Sequence, residues 1–389
     1  MSIIYIICAG LLMRYLFKFF RLPALIGMII MGIIMGPFVL DIISKNVLDV
    51  SSYIREIALI IILIRAGISL DFSDLKSVGL NAVLMSFLPA SCEIFAYYIF
   101  APMFFEITRS EALLMGSVMA AVSPAVVVPR MVELMDKKYG VKKSIPQLIM
   151  AGASCDDVFV IVLFSFFLSL NKNNSGNILS LFNIPISIIL GILFGFAFGY
   201  VLSKLFTKTK NSYIIAIVIF IVSIFFVRGE KVLSDIIHFS GLISVIVCAS
   251  LSSKNLFDNI KNKISSTYNK LWIFGEIFLF VLVGTLVDIS YTKEAGINAI
   301  FLIIVTLIFR SFGVLLSITK TNLNKKEKLY VVISYLPKAT VQAAIGGVAL
   351  SAGLPVGKLI LSVSVIGILF TASIGAILMD KSYKYLLEK

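Results

Sequence analysis

Apolar runs long enough to cross a bilayer recur from one end of this chain to the other, and no other property restricts its fold so severely. About 20 apolar residues make a helix that spans the hydrocarbon core, where only helices or closed barrels satisfy their backbone groups. Thirteen runs are expected to be spanning helices, at 2–20, 22–41, 53–71, 78–104, 109–130, 146–170, 183–206, 212–228, 237–253, 271–288, 296–318, 328–350 and 356–380. The 389 residues are 59% hydrophobic and 14% charged, with a mean hydropathy of +1.04. A water-soluble globular domain does not have that composition. The expected fold class is an all-α polytopic membrane protein.

The net charge of +13 raises the question of a nucleic-acid partner. The basic residues, however, sit in short connections between apolar runs, so topology explains them and no nucleic acid is expected. Of the 34 Lys and Arg residues, one alternate set of connections holds 23 and the other 8. The positive-inside rule then puts the N-terminus outside and the C-terminus in the cytoplasm. A multi-pass protein of the plasma (inner) membrane is expected, with the lipid bilayer as its surroundings. Cys8, Cys92, Cys155 and Cys248 all lie in apolar runs, which speaks against disulfides and a thiolate metal site. His238, at a helix start beside polar residues, is read as structural. No glycine-rich phosphate loop occurs in any connection, and none exceeds about twenty residues, so neither ATP-driven transport nor a soluble catalytic domain is expected. No catalytic residue and no cofactor are assigned.

Against that background, charges inside the apolar runs stand out. Asp156 and Asp157 are adjacent in Ala151-Gly-Ala-Ser-Cys-Asp-Asp-Val-Phe-Val-Ile-Val-Leu-Phe164. A carboxylate at bilayer depth costs several kcal/mol, and two neighbours repel each other. Either they are structural acids with hidden partners, or they form a site where a proton and a cation compete. Arg310 falls about 14 residues into 297–318, or ~21 Å at the helical rise. Glu93, in 80–100, lies at similar depth. The two are natural mutual partners, because an unpaired charge at that depth is very costly. Such a pairing would leave both aspartates free to titrate. Arg65 is close enough to the cytoplasmic face to snorkel, and Glu276 is read as interfacial.

Two spans are interrupted at mid-membrane, by Ser123-Pro124 and by Leu336-Pro337-Lys338. Proline removes a backbone donor and clashes with the preceding turn. Each break lies in the middle helix of a three-helix group, 78–170 and 296–380, and the topology makes the groups run in opposite senses. Inverted repeats with broken middle helices and a midplane site are the architecture of many secondary transporters. Aspartate oxygens, hydroxyls and freed carbonyls suit a small, hard cation. Ser123 and Ser154 are candidate oxygen donors; a hydroxyl bonded back to its own helix is the other reading for each. Lys338 is positioned to offset the negative end of a half-helix, with Pro124 and Pro337 making the breaks. Gly191, Gly195 and Gly199, four residues apart, mark a close packing face on 183–206.

Several of these pieces resemble the monovalent cation/proton antiporter superfamily, most of all the NHA branch of sodium/proton antiporters. They are Ala153-Ser-Cys-Asp-Asp157, Ser123-Pro124, Phe274-Gly-Glu-Ile-Phe-Leu-Phe-Val-Leu-Val-Gly284, Phe309-Arg310 and Leu336-Pro-Lys-Ala-Thr-Val-Gln342. The resemblance implies an NhaA-like antiporter fold, with two broken helices that cross, and a homodimer whose core moves as an elevator. It implies scaffold and dimerisation helices at 1–77 and 212–288, and a core made of 78–170 and the inverted repeat 296–380. Residues 183–206 become the linker helix. It makes Asp157 the main ligand for Na⁺ (or Li⁺) and H⁺, with Asp156 assisting, and Glu93–Arg310 a structural ion pair. Where many electrogenic relatives carry lysine, this chain has Arg310. With no regulatory domain following Lys389, a sodium or lithium exchanger is expected ahead of a potassium exporter.

The expected function is thus secondary active exchange of Na⁺ or Li⁺ for H⁺, with Na⁺ held at Asp156 and Asp157. K⁺/H⁺ antiport is the alternative within transport. An intramembrane aspartyl protease is the alternative from another class; it needs carboxylates on separate helices, whereas these are adjacent on one. A passive channel would lack obligatory counterflow of protons.

Overall fold

Apolar composition turns the chain into helices, and small residues decide where those helices touch. The computed structural model describes residues 1–20, 22–69, 80–172, 178–207, 209, 211–233, 239–254 and 256–389; His238 lies outside them. Among the described residues the secondary structure is helical, with no strand. In chain order the first helices are α1 (Ser2–Phe19), α2 (Ala24–Met35), α3 (Lys45–Asp49), α4 (Ser51–Ser69), α5 (Leu80–Phe104) and α6 (Arg109–Met119). Next come α7 (Pro124–Asp136), α8 (Ile145–Lys172), α9 (Ile178–Phe206), α10 (Ser212–Val232), α11 (Gly241–Lys254) and α12 (Asp258–Thr285). The last are α13 (Ile289–Ser317), α14 (Lys325–Ser334), α15 (Thr340–Gly346), α16 (Val348–Ser351) and α17 (Gly357–Leu386).

Among the described residues, eight helical stretches are long and apolar enough to cross a membrane: Leu80–Phe104, Arg109–Asp136, Ile145–Lys172, Ile189–Phe206, Ser212–Glu230, Asn259–Thr285, Gly296–Ser317 and Gly357–Leu386. Shorter apolar helices cover Ser2–Phe17, Ala24–Met35, Gly241–Lys254 and Thr340–Ser351. Their outward faces carry large apolar side chains such as Phe196, Ile221, Phe225, Phe301, Ile308 and Phe312, all exposed. In water such faces would drive association, but against lipid tails they are the required surface. The chain is a multi-pass integral membrane protein.

The molecule divides into two compact units. One comprises Met1–Ser51, Phe72–Val160 and Ile277–Lys389, and it contains both helix breaks. Within it α13 runs antiparallel to α5: Asn298 Nδ2 donates to Phe104 O at 3.3 Å, Phe309 packs on Phe100 at 5.5 Å, and Gly313 lies against Pro89. That alignment brings Arg310 level with Glu93. A second close approach joins α2 to the end of α12, where Gly32 and Gly284 face each other; a Cβ on either would run into the opposing backbone.

The other unit comprises Ser52–Asp71 and Ile161–Glu276. Here Gly191, Gly195 and Gly199 of α9 fall against Ser240, Ser244 and Cys248 at the start and along α11. The contact is close enough for Ser244 Oγ to donate to Gly191 O at 2.9 Å. This is the small-residue packing that the four-residue spacing announces.

One helix is longer than the hydropathy suggests. Instead of starting at residue 271, α12 begins at Asp258 and carries Lys261, Lys263 and Lys270 on a polar extension. Apolar content marks only the part of a helix that contacts lipid, and lysine is itself a good helix former. Glu276 is therefore well inside a continuous helix, and it interacts electrostatically with Arg65. Arg65 is engaged further by Asn269 Oδ1, which accepts from its Nε at 2.9 Å, and by the Trp272 ring at 5.4 Å.

Candidate functional site

Both interrupted helices start in the same way. Thr108 and Glu111 form a capping box at the head of α6, and Asn324 and Glu327 form one at the head of α14. Each box satisfies the first free N–H groups, so each leading half-helix is a stable unit with a defined beginning. Both then stop in the interior of the protein. Residues 120–123 leave the helix before Pro124 occupies the first turn of α7, a position where its missing N–H costs nothing. Residues 335–339 leave it around Pro337. The two non-helical segments cross, with Ser123 N donating to Pro337 O at 2.8 Å.

A broken helix exposes carbonyls at the end of its first half, and these carry partial negative charge. The fold answers with cations and an amide. Lys338 Nζ donates to Met119 O, Arg310 Nη1 to Ala120 O, and Gln342 Nε2 to Ala121 O at 2.7 Å. Arg310 also serves the other break, its Nε donating to Tyr335 O at 2.7 Å. One guanidinium thus ties together the negative ends of both leading half-helices.

The same two cations organise the acids. Glu93 on α5 is fully buried, with Lys338 Nζ 2.7 Å from Oε1 and Arg310 Nη1 2.9 Å from Oε2. Asp156 on α8 is fully buried as well. Its Oδ2 accepts from Arg310 Nη2 at 3.1 Å and from Val122 N at 2.7 Å. Arg310 therefore does not stop at Glu93, and Asp156 is not left free. Lys338 does more than shield a helix end; it is a second partner for Glu93. Two cations and two carboxylates, all at 0% exposure, form one connected set. Charge pairs this deep stand only when each member is compensated.

Asp157 is placed differently. It follows Asp156 on α8, about 100° further round the helix. It is buried, at 7% exposure, yet Oδ1 has no hydrogen-bond partner among the described residues, and no ion pair there reaches it. Asp156 Oδ1 and Ser123 Oγ are likewise buried without a partner among the described residues. Three oxygen atoms without donors are what a hard cation or a proton would bind. Ser154 lies within α8, but its side chain is outside the described residues.

Some positioning groups carry no mark in the sequence. Thr371 on α17 accepts from Lys338 N at 2.9 Å and donates to Gly367 O at 2.7 Å. One turn on, Gly375 leaves room for the ring of Pro337. A lone threonine and a glycine in the apolar run 356–380 are weak signals, and only the crossing gives them meaning. Gln342 and Tyr335 flank the second break without suggesting which atoms they serve.

The chain matches the family model "Sodium/hydrogen exchanger, transmembrane" over residues 4–380. The human sodium/hydrogen exchanger 9B2 is 29% identical over 386 residues, an alignment covering 95% of this chain and 70% of that protein. The human sodium/hydrogen exchanger 9B1 is 32% identical over 374 residues, covering 92% and 71%. Among solved structures, the sodium proton antiporter MjNhaP1 of Methanocaldococcus jannaschii at pH 8 has a TM-score of 0.84 at 21% identity. That match covers 100% of this chain and 99% of that one, and at such identity it speaks for a shared fold. The chain belongs to the sodium/hydrogen exchanger family, within the monovalent cation/proton antiporter superfamily, whose members are transporters rather than enzymes.

Proposed function

We propose that this protein exchanges Na⁺ (or Li⁺) for H⁺ across the membrane, with the two ions competing for Asp157 and Asp156. The observation that carries the reading is the contrast in partners. Glu93, Asp156, Arg310 and Lys338 match one another in charge, while Asp157 adds a buried carboxylate that no basic group pairs among the described residues. Either a proton or a monovalent cation neutralises it, and the two cannot both do so. Arginine keeps its proton in proteins, so Arg310 holds the site together and does not carry the coupled proton. The carried proton belongs to the carboxylates.

The rest of the proposal concerns movement. Of thirteen spans, two of them discontinuous, those in 78–170 and 296–380 make the core as inverted repeats. The scaffold is 1–77 and 212–288, with 183–206 as linker. A core with an uncompensated Asp157 charge is held back by the cost of moving it through low dielectric, whereas a loaded core is not. This is alternating access of the elevator kind, within a homodimer, with the N-terminus outside and the C-terminus in the cytoplasm of the plasma (inner) membrane. The direction follows whichever gradient is larger.

The test is a pH jump across liposomes containing the full chain, with Na⁺, Li⁺ or K⁺ as the counter-ion and the membrane potential clamped. Saturable proton movement opposed to Na⁺ or Li⁺ flux supports the reading. Proton flux with K⁺ alone, or flux without saturation, overturns it.

A further inference from the structure

Tyr335 is a fully buried aromatic residue at the second break whose polar end is left over among the described residues. It caps the C-terminal end of α14, two residues before Pro337, and it is 0% exposed. Its carbonyl is held by Arg310 Nε at 2.7 Å, and the Arg310 guanidinium carbon lies 5.6 Å from its ring. Its hydroxyl has no hydrogen-bond partner among the described residues. A phenol buried in that way is unfavourable unless it gains a partner in another step.

The position of that hydroxyl is built, because it rests on Gly152 of α8. A Cβ at residue 152 would collide with the hydroxyl oxygen and would meet Met85 Cβ at 2.8 Å. Gly152 and Asp156 are four residues apart and so share one face of α8, about 6 Å apart along its axis. The hydroxyl thus lies one turn from Asp156, whose Oδ1 is also without a partner among the described residues. A donor without an acceptor and an acceptor without a donor are separated by a single helical turn.

We propose that Tyr335 is a positioning residue for the ion site: its hydroxyl donates to Asp156 when that carboxylate loosens from Arg310, and so sets the affinity for the transported cation. The proposal rests on the antiport reading and adds a residue to it. Arg310 grips both Asp156 and the backbone of Tyr335, so any change in that grip moves the two together. A phenol hydrogen bond keeps Asp156 oriented while Asp157 loads, without adding a charge to the balanced set.

The experiment compares wild type, Tyr335→Phe, Gly152→Ala and the double variant as full chains in liposomes, with thermal melting measured alongside exchange. In Tyr335→Phe the apparent KM for Na⁺ is expected to rise on the order of tenfold, the effect of one lost hydrogen bond to a charged acceptor. The maximal rate is expected to stay within about twofold, and the melting temperature without cation not to fall, since no native partner is lost. Gly152→Ala is expected to raise KM and lower the melting temperature, and removing the hydroxyl in the double variant to restore part of the melting temperature. A Tyr335→Phe variant with wild-type KM overturns the proposal, as does a double variant no more stable than Gly152→Ala. If Gly152→Ala does not fold, the KM of Tyr335→Phe decides alone. Absence of exchange in wild type overturns the antiport reading and this proposal with it, whereas wild-type exchange with an unchanged Tyr335→Phe KM overturns only this one.

Discussion

The two helix breaks are built alike and used differently. Each follows a leading half-helix that starts with a capping box, and each ends in carbonyls that need a donor. At the first break three side chains, from Lys338, Arg310 and Gln342, meet Met119, Ala120 and Ala121, and a carboxylate, Asp156, takes Val122 N. At the second break Arg310 meets Tyr335 O, and a neutral hydroxyl, Thr371, takes Lys338 N. The first break is where charges converge; the second supplies Lys338 and is steadied by an uncharged group. Two breaks of similar build thus separate two tasks. One half gathers the acids, and the other delivers the cation that keeps them matched.

Substitutions sharpen that contrast. The largest loss of stability is expected for Arg310→Ala, which strips a partner from Glu93, Asp156, Ala120 and Tyr335 at once. Removing one member of a buried charge pair costs roughly 3–5 kcal/mol, so thermal melting in detergent is expected to show a severely destabilised protein. Lys338→Ala is expected to fall next, because Glu93 keeps Arg310; equal or greater damage than Arg310→Ala would break the ranking. Neutralising Glu93 and Lys338 together is expected to recover part of the loss seen with Lys338 alone, and strict additivity would contradict their coupling. Thr371→Val at the second break is expected to cost only about 1 kcal/mol, the usual scale for a hydrogen bond between membrane helices.

The smallest effect belongs outside the site. Lys143 Nζ lies 2.8 Å from Glu327 Oε2, and the bond to Glu327 raises the Lys143 ammonium above the ordinary lysine range. A group whose folded pKa is raised contributes its full stabilisation below the unfolded value, about 10.4, and loses it only as pH climbs through the folded one. Lys143→Gln is therefore expected to lower the melting temperature by the same small amount at pH 6 and pH 9. A difference that grows between those values would contradict the assignment.

Much of this was legible because charge in an apolar run is rare enough to be conspicuous. Asp156, Asp157, Glu93, Arg310 and Lys338 stand out by depth alone, and Pro124 and Pro337 by what proline removes. Which charges meet depends on rotation about helix axes, and hydropathy carries no record of that. Depth puts Arg310 beside Glu93, but only the packing of α8 and the crossing at residues 120–123 add Asp156 to its partners. Lys338 reads as a local helix-end charge, whereas the carbonyl it meets belongs to Met119 on the other break. Thr371 and Gly152 are inconspicuous for the opposite reason, being small or neutral residues in runs where such residues are ordinary. The polar start of α12 escapes notice because apolar content marks lipid contact and not helix length.

The central claim is that Asp157, the carboxylate outside the matched set, is where cation and proton compete. The direct measurement is Na⁺-driven proton movement in liposomes for wild type and Asp157→Asn, with folding verified by melting. Exchange reduced to the empty-liposome level in a variant that melts at or above the wild-type temperature is the predicted result, because the substitution removes a buried charge with no ion-pair partner among the described residues. Sustained sodium-coupled proton movement in Asp157→Asn would contradict the account.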